Sequence, residues 1–184
     1  GKLANELLSR INDAIASIER YEKEMEGASA EDRLVLRLQI YQLRKQTVND
    51  LNELADTLLE LEKAGPQPKL REQLENGFAH TTPRLWYHIN QLRGEIDKIR
   101  ARRIETKAEE RLAIENEIAN LTKRLDAYYE ISLSHITKMK QIGMDVKEAR
   151  ETFIRLLYDR ADELSGRLQI ALARIDELEM QRKE

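Results

Sequence analysis

Residues 11–34 decide the reading of this chain: Ile11-Asn12, then Ile18-Glu19-Arg20, then Ala30-Glu31-Asp32-Arg33-Leu34. The pattern returns 78 positions later as Ile89-Asn90, Ile96-Asp97-Lys98 and Ala108-Glu109-Glu110-Arg111-Leu112, without a gap (89 − 11 = 78). Ile40, Leu43, Lys45 and Gly65 likewise return as Ile118, Leu121, Lys123 and Gly143. A coincidence of heptads would favour a multiple of seven, which 78 is not. A period of this size marks one supersecondary unit used more than once, each copy packing on its neighbours. A third copy begins near the end of the chain, where Leu168-Gln169 and Ile175-Asp176-Glu177 follow Ile11-Asn12 and Ile18-Glu19-Arg20.

Composition agrees with long helices. Charged residues make up 35% of the 184 residues, and only seven glycines and three prolines punctuate them. Aromatics are 5%, so the core must be built mainly of Leu and Ile. The expected fold is all-α: about five helices in an elongated antiparallel bundle of long hairpins with coiled-coil-like packing. Net charge is −3 with the two signs interleaved, which argues against a nucleic-acid partner. There is no cysteine, so disulfides and thiol chemistry are excluded. No apolar run reaches membrane-spanning length and no signal peptide opens the chain. Both ends read as cut from a longer chain. The lack of cysteine slightly favours a periplasmic or otherwise extracytoplasmic location over the cytoplasm.

The first helix carries Leu7, Ile11, Ala14, Ile18, Tyr21 and Met25 in alternating steps of four and three. Gly27 breaks it, and Ser29 with Asp32 forms a capping-box variant for the second helix. That helix bears two adjacent stripes. One is Leu34, Leu38, Tyr41, Val48, Leu51, Ala55, Leu58; the other is Leu36, Ile40, Leu43, Thr47, Leu54, Leu61. A face this wide suits more than one partner helix. Gly65 to Pro68 stops the helix. A short helix over 69–78 is expected to break at Gly77 to Pro83, with Thr82 capping a new helix at Pro83.

The stripe then fades from Arg100 to Arg111. Either one helix of nearly sixty residues runs through, or a turn lies near Glu105-Thr106, with Thr106 and Glu109 as a second capping box. The repeat favours the turn. Gly143 ends the next stripe, and Asp145 is placed to cap a last helix carrying Ala149, Phe153, Leu156, Leu157, Leu164, Leu168, Leu172, Ile175 and Leu178. The organisation reads as a first hairpin over 1–65, a second over 66–143 with a broken first helix, and the start of a third repeat over 144–184. Leu43 and Leu121 are expected to occupy equivalent buried positions.

Candidate chemistry is sparse. His80 and His88 are eight apart, and the residues three before His80, His88 and His135 are Gly77, Leu85 and Ser132. Neither i,i+4 histidines nor the Glu-x-x-His pattern of di-iron bundles is present, so no metal or cofactor site is expected. His135 lies on an apolar stripe and reads as a hydrogen-bonded bundle residue. Trp86 and Tyr87 are candidate partner anchors, Trp86 alternatively filling a gap at the bundle end. Arg100, Arg102 and Arg103 belong to a basic cluster interleaved with Glu95, Asp97, Glu105, Glu109 and Glu110, which reads as a solvated helix surface, or as an exposed patch if a hairpin tip lies there.

The run Arg10-Ile11-Asn12-Asp13-Ala14-Ile15-Ala16-Ser17-Ile18-Glu19-Arg20-Tyr21-Glu22-Lys23-Glu24, with Glu31-Asp32-Arg33-Leu34-Val35-Leu36 after it, resembles the helical N-terminal regions of bacterial small-conductance mechanosensitive channels. In that family a long helical extracytoplasmic region precedes the membrane spans. The resemblance is one of style, and the family's defining pore residues are not in this sequence, so no residue role carries over. The reading is a non-catalytic scaffold or interaction domain of a larger protein. Its partners would be proteins, by self-association or through partner helices, with membrane contact only through segments elsewhere and no small-molecule ligand. The alternatives are the periplasmic domain of a mechanosensitive channel or other membrane protein, and a membrane-surface-binding helical dimer.

Overall fold

The computed structural model describes residues 1–183, which form five helices and no strand. They are α1 (Lys2–Met25), α2 (Ala30–Glu62), α3 (Pro68–Arg103), α4 (Ala108–Gln141) and α5 (Lys147–Lys183). The repeat is visible in the boundaries. α1 ends at 25 and α3 at 103 (25 + 78), and α2 starts at 30 and α4 at 108 (30 + 78). The chain divides into two compact units, Gly1–Asp145 and Val146–Glu184, so both hairpins lie in the first.

Each boundary has a local cause. The Ser29 hydroxyl accepts from the Asp32 amide at 3.2 Å, satisfying one of the donors left over at the start of α2. Glycine and proline at Gly65-Pro66 end α2, and Pro68 opens α3 where its missing N–H costs nothing. Gly143 adopts φ +88°, the left-handed conformation that closes a helix and suits glycine. The turn at Glu105-Thr106 is present, so 83–142 is two helices. Thr106 does not cap α4; its hydroxyl donates back to the Arg102 carbonyl at 2.6 Å, and Lys107 is the N-cap.

The expected break at Gly77 to Pro83 is wrong: α3 runs unbroken through both residues. Pro83 removes one backbone hydrogen bond, but its ring is on the exposed side. The carbonyls flanking the lost acceptor each gain a side-chain donor, Thr82 Oγ1 to Phe78 O at 2.8 Å and Arg84 Nη1 to His80 O at 2.6 Å. Gly77 is a packing residue. A Cβ there would lie 2.8 Å from Cδ2 of the buried Leu51 on α2, so the missing side chain is what lets α3 approach α2.

In the first unit α1 packs along α2, α3 along α4, and α2 also touches both α3 and α4. Thr47, Val48, Leu51, Leu54, Ala55 and Leu58 bury α2 on more than one side, as its two stripes imply. α2 and α4 run parallel, since Asn52 meets Ser134 and Asp56 meets Lys138 at the same separation of 82. Leu121 is buried as expected, but Leu43 is only half-buried, because its neighbour Arg44 takes the interior position. In α5 the buried residues Ala149, Phe153, Leu156 and Arg160 all lie in the first half.

The close approach at Gly77 yields a paired test. Gly77→Leu should cost about 1–3 kcal/mol by overpacking against Leu51. Gly94→Ala, where an added Cβ meets nothing, should stabilise by about 0.5–1 kcal/mol. Urea midpoints of the two variants check both signs.

Candidate interaction site

The four helices of the first unit enclose a polar cluster around Arg44, whose side chain is 1% exposed. Its guanidinium Nη2 stands 3.6 Å from Glu22 of α1 and 3.5 Å from His88 Nε2 of α3. Arginine only donates, so His88 Nε2 is the acceptor and the ring is neutral. The His88 ring stacks on Tyr128 of α4 with centroids 5.6 Å apart, and Tyr41 meets Tyr128 edge-on at 5.3 Å. Burial, then the Arg44 charge, lowers the His88 pKa to about 4. Burial raises Tyr128 and lowers Arg44 from their ordinary values. A cleft of about 500 Å³ opens beside the cluster, edged by Arg37, Arg84, Arg124, Glu95 and Tyr87. The Arg37–Glu95 ion pair at 3.0 Å ties α2 to α3 across it.

His135 is fully buried and its Nε2 is 2.8 Å from Thr82 Oγ1. The Thr82 hydroxyl gives its proton to the Phe78 carbonyl, so His135 Nε2–H donates to Thr82 and Nδ1 carries no proton. Burial lowers its pKa to about 4, and the ring packs on Phe78 at 4.9 Å. It is a hydrogen-bonded bundle histidine, as its stripe position predicts. His80 is also lowered, first by burial and then by Arg84. Among the described residues no group of three His, Asp or Glu is placed to hold a metal ion.

The residues singled out as partner anchors do not form one surface. Tyr87 is exposed at the cleft edge and Trp86 is half-buried. Arg100, Arg102 and Arg103 close the last turn of α3, about 20 Å further along the helix. Arg103 is ion-paired to Glu115 across the hairpin tip. The sequence reading missed three buried charges, Arg44, Asp50 and Arg160, of which Asp50 is paired to Arg10. A signal existed for Asp50: the second stripe of α2 skips from Thr47 to Leu54, and Asp50 fills the vacant step.

The other surface with interaction character is on α5. Leu164, Leu168, Leu172, Ile175 and Leu178 are all exposed. No helix of the described residues is long and apolar enough to cross a membrane. No protein-family model, curated protein or solved structure matches this chain.

The two neutral histidines set a pH dependence. Their folded pKa of about 4 lies below the ordinary 6.5, so the native state binds fewer protons than the unfolded chain between these values. The contribution of these neutral histidines is therefore complete above about pH 6.5 and is lost as pH falls toward 4, at up to about 1.4 kcal/mol per pH unit for each histidine. Urea midpoints from pH 7 to 5 should show this fall, and His135→Gln should remove about half of the slope.

Proposed function

We propose that this protein is a non-catalytic helical-repeat scaffold that tethers other parts by docking a partner helix on the second half of α5. The observation that carries the proposal is a second copy of the face of α1. With an offset of 157, residues 161–182 repeat residues 4–25 at Ala4, Glu6, Leu7, Arg10, Ala14, Ala16, Ile18 and Glu22 (Ala161, Glu163, Leu164, Arg167, Ala171, Ala173, Ile175 and Glu179). In α1 this face is core: Leu7, Ile11 and Ile18 are 1–2% exposed beneath α2. In α5 the equivalent Leu164, Leu168 and Ile175 are 46%, 60% and 50% exposed. A stripe designed for burial and left in water supports an interaction surface. The channel regions that this sequence resembles would use such an array as a spacer before their membrane spans.

The contrast is measurable. Leu7→Ala should cost about 2–5 kcal/mol, whereas Leu164→Ala should change stability by less than about 0.5 kcal/mol. The functional arm uses a photo-crosslinking residue at Leu168 in the full-length protein in cells. Crosslinks to a polypeptide are expected. Crosslinks to lipid alone, or none, would end the scaffold reading.

A further inference from the structure

We infer that the second half of α5 is the receptor for an antiparallel amphipathic helix built like α2, registered by a carboxylate on that helix against Arg167. The inference rests on the scaffold reading and names its partner.

The two hairpins supply the template. In the first, Arg10 of α1 makes a two-pronged contact to Asp50 of α2, whose side chain is 4% exposed. Moving both positions by the repeat gives 88 (10 + 78) and 128 (50 + 78). These are His88 and Tyr128, stacked on each other across the second hairpin. One register position therefore carries a matched cross-helix pair in both copies, ionic in one and aromatic in the other. The third copy places Arg167 there (10 + 157). An arginine at this position selects the ionic version, so the opposing residue is Asp or Glu. Around it the partner must bring Leu, Ile or Val to cover Leu164, Leu168, Ala171, Ile175 and Leu178, as α2 covers Leu7, Ile11, Ala14 and Ile18.

The boundaries agree. α5 starts 79 residues after α3 (147 − 68), so its second half corresponds to the second half of α3, where His88 stacks on Tyr128 and Arg103 pairs with Glu115 of α4. Among the described residues, Leu164, Leu168, Leu172, Ile175 and Leu178 along that half stay exposed. Charge also argues against a second copy of α5 as the occupant. Antiparallel self-pairing that sets Leu168 against Ile175 brings Arg167 beside Arg174 of the other copy, placing like charges together.

The test uses a synthetic peptide of residues 36–62, the α2 sequence around Asp50, as the probe. The chain has no cysteine, so Ser165→Cys gives a single site for a fluorophore on α5. Saturable binding reported from this site is expected. Asp50→Arg in the peptide should weaken it about tenfold or more, and Arg167→Asp in the protein should restore it. Circular dichroism and the unfolding midpoint check that Arg167→Asp leaves the fold intact. No binding, or binding indifferent to the charge swap, overturns the inference but leaves the scaffold reading to the in-cell crosslink. Concentration-dependent self-association abolished by Leu168→Lys also overturns it, making a second copy the occupant. A label response only to vesicles of anionic phospholipid would overturn both.

Discussion

Everything in the first unit depends on α2 being apolar on more than one side. A helix that touches three neighbours cannot spend half its circumference on water. Its two stripes meet this requirement, and burial of Thr47, Val48, Leu51, Leu54, Ala55 and Leu58 is the result. At Leu51, beneath Gly77, even a methyl group would collide. The place of α3 follows from that absence of a side chain, and the α3–α4 hairpin is carried with it.

Polar groups inside such a bundle must be neutral or paired, because the interior does not solvate them. The protein uses both solutions. His88 and His135 stay neutral, each directing a defined ring nitrogen at a partner. Arg44 keeps its charge beside Glu22, and Asp50 is matched by Arg10. These pairs join helices of different hairpins or the two arms of one hairpin. They fix which helix faces which at a fixed height, something Leu and Ile stripes alone specify poorly.

The same logic gives α5 its meaning. A bundle helix and an unpartnered helix can carry the same sequence pattern, since pattern records the face meant for burial and not whether burial has occurred. The stripe of α1 is core because α2 lies on it. Its near copy in α5 is exposed, and the arginine that pairs with Asp50 in the first copy recurs at its edge as Arg167. Repeat architectures work in this way, each unit presenting the surface that the next element covers.

The all-α class, the five helices, the hairpin turns near Gly27 and Thr106 and the stop at Gly65 were legible in the sequence, because glycine, proline and period-3.6 spacing act locally on the backbone. The 78-residue repeat resolved the turn at Glu105, where the fading stripe and the absence of glycine and proline pointed in opposite directions. The sequence misled at Gly77 and Pro83, two residues that break helices in isolation. The spacing of Leu74, Phe78, Thr81 and Leu85 was the better guide, since it runs through the supposed break in steps of four and three. Only the tertiary structure decided that Gly77 serves contact with α2, that Arg44 displaces Leu43 from the interior, and that Arg10 meets Asp50. Those outcomes depend on which residues of distant segments come together, and local spacing holds no information about the partner that fills a groove.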